Sequence, residues 1–159
     1  MADARDPDVS RLVETLGLAP HPEGGFFRET FRSSSTEIYF LLPAGEFSAF
    51  HRLRVSDEIW HHYAGDPVEL HTIAGEGVHR VTILGPDIGR GERPQAIVPA
   101  GTLQAAAVLG TRFALCGCTV APAFEFTDFE LPTRDELLAE FPGLEAVIRQ
   151  WTRSSPGRG

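Results

Sequence analysis

The segment 45–65, GEFSAFHRLRVSDEIWHHYAG, constrains the fold more than any other part of the chain. Its side chains alternate with a period of two, as in extended strands whose successive residues point to opposite faces. His51 falls on the apolar face of the first predicted strand, and a Ser-Asp pair suits the turn that follows. Glu58 shares one face of the second strand with Trp60 and His62. If the strands are neighbours in one sheet, the imidazole and the carboxylate converge among apolar groups, which indicates a pocket.

The rest of the chain predicts an all-β fold with helices only at its ends. About nine short strands are separated by turns every eight to twelve residues, a spacing typical of a sandwich or barrel. We expect a single domain over residues 1–153, with a helix at 7–16, a barrel over about 26–131 and helices within about 134–152. The tail, 154–159, is expected to be disordered.

Composition excludes several functions for this chain of 159 residues with a net charge of −8. There is no Lys-rich or Arg-rich run, which argues against nucleic acid as a partner. The chain contains no run of about 18 apolar residues, so no membrane span is expected. The N-terminus lacks the features of a secretory signal, so a cytoplasmic location is expected. Cys116 and Cys118 are interpreted as reduced, buried thiols.

The spacing within the same segment matches a known motif. Gly45, His51, Glu58 and Gly65 stand in the pattern G-x5-H-x-H-x3,4-E-x6-G, with Leu53 in place of the second His. This is the first motif of the cupin superfamily, which the chain resembles. The resemblance implies a double-stranded β-helix, the cupin jelly-roll barrel, which is commonly dimeric and has its site in the barrel mouth.

The second cupin motif, G-x5-P-x-G-x2-H-x3-N, is kept only in its turn. Pro99 and Gly101 are present, but Gln104 stands where the His belongs and Val108 where the Asn belongs. The wider sequence, from LGLAPHPEGGFFRET to GCTVAPAFEFTDFEL, resembles a small single-domain branch of largely unassigned function, the cupin-5 type. That resemblance covers about residues 16–131.

Metal-binding cupins hold a divalent ion with the His and Glu residues of these motifs. The resemblance therefore leaves His51, Glu58 and Gln104 as candidate metal ligands, with His62 as a substitute. Leu53 has no donor atom, and a neutral amide is uncommon around zinc or iron. A single divalent metal is thus one alternative and not the favoured one, and the sequence identifies no other cofactor.

The same groups also suit proton transfer without a metal. His51 has an ordinary pKa near ~6.5, and a carboxylate such as Glu58 bonded to it would fix its tautomer and raise its basicity. The arrangement resembles the sugar-nucleotide 3,5-epimerase branch of cupins, in which the motif His works with an acid and a Tyr. Only His51 carries over by position. We expect the ligand to be contacted by Trp60, His62, Gln104, Tyr63, Tyr39 and Arg28.

Three hypotheses remain open. The first is a metal-independent isomerase, epimerase or lyase that acts on a small polar molecule, such as a nucleotide sugar or other carbohydrate, with His51 as base assisted by Glu58. The second is a binding module without turnover, and the third is a metal-dependent oxygenase or isomerase. We also expect a homodimer with segment 124–129 in its interface, because alternating aromatic residues suit a covered sheet edge.

Overall fold

In the computed structural model, which describes residues 6–154, two antiparallel sheets face each other. One sheet has the strand order β1-β2-β3-β10-β5-β8 and the other β11-β4-β9-β6-β7. The strands are β1 (Ala19–Pro20), β2 (Phe26–Arg32), β3 (Thr36–Pro43), β4 (Phe47–Leu53), β5 (Asp57–Gly65), β6 (Val68–Ile73), β7 (His79–Leu84), β8 (Gln95–Val98), β9 (Leu103–Val108), β10 (Phe113–Ala121) and β11 (Phe129–Glu130). The expected all-β double-stranded β-helix is confirmed.

The barrel interior lies between the two sheets. Phe40, Trp60 and Leu70 are each about 1% exposed there, beside the buried thiols of Cys116 and Cys118. Because strand side chains alternate, each strand places every second residue in this core and leaves the others on the outside.

Three α-helices flank the barrel within residues 6–154. Helix α1 (Pro7–Leu16) begins at Asp6, whose side chain accepts a hydrogen bond from the Asp8 amide. Helices α2 (Arg134–Glu140) and α3 (Glu145–Gln150) pack apolar residues against the outer face of the five-stranded sheet. None of the three is long and apolar enough to cross a membrane. The expected disordered tail lies outside the described residues, apart from Ser154.

The turn between β4 and β5 determines how the pocket is built. The buried carboxylate of Asp128 accepts hydrogen bonds from the amides of Val55 at 2.8 Å and Ser56 at 3.2 Å. These bonds fasten segment 124–129 beside the turn. The convergence of His51 and Glu58 was predicted for the case that the two strands are neighbours in one sheet, but β4 and β5 lie in opposite sheets. His51 and Glu58 therefore approach each other across the barrel interior.

Candidate functional site

A cavity of about 130 Å³ lies at one end of the barrel, where the inner faces of the two sheets meet. Segment 124–129 and the loop 21–25 form its remaining walls. Its lining residues are His21, Glu23, Phe27, Glu29, Arg32, Thr36, Ile38, His51, Leu53, Glu58, Val120, Phe124, Glu125, Phe126 and Phe129. A concave, mostly apolar space with a few convergent polar groups is the usual form of a small-molecule site.

An ion pair between His51 and Glu23 lies in this cavity. Nε2 of His51 is 2.9 Å from Oε2 of Glu23, and both side chains are almost completely buried. The other ring nitrogen, Nδ1, is 2.8 Å from the carbonyl oxygen of Ala49. A carbonyl only accepts, so Nδ1 donates and Nε2 is the nitrogen that can exchange a proton. The partner expected for His51 was Glu58, but Glu23 occupies that position.

The loop 21–25 holds Glu23 through its backbone. The Glu23 carbonyl accepts hydrogen bonds from the Ala49 amide at 2.8 Å and from Nη1 of Arg153 at 2.9 Å. Gly24 follows with φ of +116°, and a Cβ added there would lie 2.1 Å from the carbonyl oxygen of Phe47. Only glycine fits this close approach at a positive φ. The backbone therefore fixes the position of the carboxylate.

Burial and charge oppose each other in the His51–Glu23 pair. Burial disfavours both charged forms, which lowers the pKa of His51 and raises that of Glu23. Their mutual attraction and hydrogen bond outweigh burial, and with the charge of Glu58 they raise the pKa of His51 to about 9. The pKa of Glu23 is lowered from its ordinary value. At neutral pH the pair is thus an imidazolium and a carboxylate.

The pKa of Glu58 is shifted in the opposite direction to that of Glu23. Burial, followed by repulsion from Glu23, raises its pKa despite the nearby imidazolium. Its Oε2 accepts a hydrogen bond of 2.6 Å from Nε2 of Gln104, and Oε1 of Gln104 accepts one of 2.7 Å from Nε1 of Trp60. The cavity thus contains one carboxyl group that favours ionisation and another that retains a proton to higher pH.

His21 adds a neutral donor to the cavity. Its Nδ1 accepts a hydrogen bond of 3.2 Å from the Glu23 amide. Burial lowers the pKa of His21 against the attraction of Glu23. A neutral ring that accepts at Nδ1 carries its proton on Nε2. His21 can therefore donate a hydrogen bond from Nε2.

Of the residues predicted for the site, His51 and Glu58 line the cavity. Trp60 and Gln104 lie behind Glu58 with about 1% and 0% exposure and do not line it. Alternation places both side chains inside the barrel, but the amide that was expected to meet a ligand is already bonded to Glu58 and to the indole. Gln104 orients Glu58 instead.

The other predicted contacts lie elsewhere. His62 faces inward two residues beyond Trp60, toward the opposite end of the barrel, where Nε2 lies 2.9 Å from the carbonyl oxygen of Asp66. Tyr39 follows the inward-facing Ile38 and so points outward. Tyr63 is 53% exposed and lies at an irregularity in the β5–β10 pairing. Arg28 is also on the outer face and donates from Nη1 to the Leu16 carbonyl at 3.2 Å.

The side chains do not fit the metal site that the fold family uses. Leu53 lines the cavity at the position of the second His, without a donor atom. Both ends of the Gln104 amide are bonded within the protein. Within residues 6–154, no group of three or more His, Cys, Asp or Glu residues is arranged to hold a metal ion. We therefore derive no chemistry through a metal.

Sequence reasoning missed both Glu23 and His21 as site residues. A usable signal was present, because charged residues beside glycines in a loop that precedes a barrel strand often carry function. The pattern does not show where such a loop folds. Here it returns to β4 and delivers its carboxylate to His51.

Comparisons with known proteins agree with this fold. A protein from Shewanella oneidensis has a structure with 38% identity and a TM-score of 0.88, over 98% of this chain and 100% of that one. A hypothetical protein from Leishmania major has 33% identity and a TM-score of 0.87, over 91% and 98%.

A dTDP sugar isomerase from Desulfovibrio desulfuricans G20 has a similar fold at 13% identity and a TM-score of 0.58, over 79% of this chain and 83% of that one. No functionally curated protein matches. The family model described as Cupin superfamily (DUF985) matches residues 10–132. The chain therefore belongs to the Cupin_5 family of the cupin superfamily.

Proposed function

We propose that this protein binds a small polar molecule in the barrel cavity and moves a proton within it, as a metal-independent isomerase or epimerase. The observation that carries the proposal is the buried Glu23–His51 pair, 2.9 Å apart, in one cavity with Glu58. Environments that push the pKa values of neighbouring acids in opposite directions provide a base and an acid at the same pH.

In the proposed step, Glu23 is the base. Its carboxylate takes a proton from a carbon next to a carbonyl group, so that the C–H bond breaks, an O–H bond forms and the electron pair moves to the carbonyl oxygen. In its protonated form, Glu58 then returns a proton to the other face of the same carbon, which is epimerisation. For isomerisation it protonates the adjacent carbon instead, while the proton of the hydroxyl group on the first carbon moves to the former carbonyl oxygen. Exchange with solvent restores both carboxyl groups. His51 was predicted to be the base, whereas in this proposal its imidazolium keeps Glu23 ionised.

The developing enolate needs a hydrogen-bond donor. His21 supplies a neutral N–H from Nε2, and Thr36, whose Oγ1 accepts from the Phe124 amide at 3.2 Å, has a hydroxyl proton left to donate. Both residues line the cavity. Because both donors are uncharged, they stabilise the oxyanion as it forms and do not attract an anionic substrate in the ground state.

A carbohydrate is a suitable substrate class. Sugars carry a proton next to a carbonyl carbon in their open forms, and the dTDP sugar isomerase of the same fold gives a precedent for sugar chemistry in this kind of barrel. The cavity of about 130 Å³ suits a single small ring or chain.

Hydrogen–deuterium exchange tests the proposal without knowledge of the product. The protein is incubated in D₂O with a panel of aldoses, ketoses and 2-amino sugars, and loss of the proton next to the carbonyl is followed by proton NMR. We expect exchange with at least one sugar and a loss of about 100-fold or more in Glu23→Gln, the usual magnitude for an acid–base group. Glu76→Gln, an exposed carboxylate in the hairpin between β6 and β7 and outside the cavity, is the control and retains exchange.

Unchanged exchange in Glu23→Gln would contradict the proposed base. A second candidate, a binding module without turnover, is favoured by one feature, since both ring nitrogens of His51 are already bonded within the protein. A sugar that shifts the NMR signals of His51 but never exchanges its protons would select the binding module.

A further inference from the structure

We infer that the cavity selects ligands that are neutral or positively charged and donate hydrogen bonds, and that it excludes phosphate esters and carboxylates. This inference names the ligand class of the site in the proposed function and rests on that cavity being the binding site. It separates the sugars named above from nucleotide sugars, whose phosphates would have to lie against the same walls.

Negative charge is in excess among the lining residues. The carboxylates are Glu23, Glu29, Glu58 and Glu125, and the cations are Arg32 and the His51 imidazolium. Counting Glu58 as protonated still leaves three carboxylates against two cations. Glu125 and Glu29 are partly exposed at the rim, so salt and water screen their charges. The buried Glu23–His51 pair contributes no net charge. The carboxylates at the rim, and Glu58 when it is ionised, therefore repel an anion.

Both cations are already bound by carboxylates, and only one N–H group of Arg32, on Nη1, has no partner among these contacts. Arg32 donates from Nε to Oε1 of Glu29 at 2.7 Å and from Nη2 to Oε2 of the same carboxylate at 2.9 Å. Its remaining contacts run to Oε1 of Glu125 at 3.4 Å and to the carbonyl oxygen of Phe124 at 2.9 Å. Both nitrogens of His51 are bonded to Glu23 and to the Ala49 carbonyl. An arginine bound by a carboxylate fork cannot offer the same fork to a phosphate.

The aromatic walls favour the same class of ligand. Phe124, Phe126 and Phe129 contact one another edge to face, with ring centroids 5.1 to 6.4 Å apart. Phe27 lies opposite, against the ring of His21 at 4.5 Å. The faces of aromatic rings carry negative charge and attract cations. An anion that entered would lose its water and gain these rings, two neutral donors and at most one N–H group of an arginine already paired with carboxylates.

Three probes with one ring and different charge test the inference. Benzylamine, benzyl alcohol and benzoate are titrated into the isotope-labelled protein near neutral pH and low salt, and binding is read from the NMR signals of His51 and of the phenylalanines in the cavity. We expect benzylamine to bind most tightly, with benzoate at least ten-fold weaker. Glu29→Gln with Glu125→Gln should reduce the preference for the amine several-fold. Glu76→Gln, an exposed carboxylate in the hairpin between β6 and β7, should leave it unchanged.

Each result has a distinct meaning. Benzoate that binds as tightly as benzylamine overturns the charge selection, whereas the exchange experiment with Glu23→Gln decides the proposed proton transfer separately. An amine preference combined with unchanged exchange in Glu23→Gln would leave the charge selection standing and remove the catalytic role. If none of the probes shifts the cavity signals at tens of millimolar, the cavity is not the ligand site and the inference is wrong.

Discussion

Removing the Glu23 carboxylate should reverse the acid–base state of His51. In the native protein, attraction to Glu23 outweighs burial and raises the pKa of His51 from 6.5 to about 9. In Glu23→Gln the main attraction is gone and burial remains, opposed by the charge of Glu58 and the hydrogen bond to the Ala49 carbonyl. We therefore expect the pKa of His51 to fall to 6.5 or below, so that the ring is largely neutral near pH 7.5.

The same contact contributes to stability. A change in pKa from 6.5 to about 9 corresponds to about 3 kcal/mol, at about 1.4 kcal/mol for each factor of ten in the equilibrium constant. Because the folded-state pKa of His51 is raised above the unfolded value, this contribution is fully present below about pH 6.5 and is lost as the pH rises through about 9. The interaction is shared between the two partners and is counted once.

Two measurements check this prediction. The ring signals of His51 are titrated by NMR from pH 5 to 10 in the native protein, in Glu23→Gln and in the control Glu29→Gln. The free energy of unfolding is measured with urea at pH 6.5 and at pH 9.5. Its change between these two pH values should be smaller in Glu23→Gln than in the other two proteins. A pKa of His51 that stays near 9 in Glu23→Gln would show that Glu23 does not hold the imidazolium and would refute the reasoning.

Four further predictions follow from single features of the structure. Gly24→Ala should destabilise the fold by about 2 kcal/mol or more in urea unfolding, because its Cβ would overlap a backbone carbonyl at a positive φ, while Gly143→Ala, where a Cβ meets open space, should not. Gln104→Leu should cost about 1 to 3 kcal/mol by the same measurement, since it leaves the buried indole N–H of Trp60 without an acceptor. Phe126→Ser should weaken the expected homodimer in sedimentation, because this ring is 68% exposed, and a native protein that is monomeric at micromolar concentration would contradict the dimer itself. Elemental analysis of protein purified without an affinity tag should find less than stoichiometric zinc, iron or manganese, and one equivalent would contradict our interpretation of the cavity.

The candidate site was predictable in part. Alternation along β4 and β5 is enough to place His51 and Glu58 on inward faces, and both line the cavity. It also places Trp60 and Gln104 inside the barrel, but it carries no information on depth along the barrel axis. For that reason the sequence could not show that the Gln104 amide lies behind the Glu58 carboxylate, on its side away from the cavity.

The location of Glu23 depends on the course of a loop and not on the alternation of side chains along a strand. Turn residues and glycines indicate that the segment 21–25 is irregular, but not where it goes. Its course is set by hydrogen bonds to Ala49 and Arg153, residues that are far away in the chain. The same holds for segment 124–129, whose phenylalanines were expected at a sheet edge and also form a wall of the cavity.

The sequence by itself determined the all-β class, the family and the inward positions of His51 and Glu58, because these follow from local periodicity and from residues at fixed spacing. Only the tertiary structure decided that β4 and β5 lie in opposite sheets, that Glu23 pairs with His51, and that carboxylates bind both cations of the cavity. Those facts depend on contacts between distant segments, and no local pattern encodes the distance between two loops once the barrel closes.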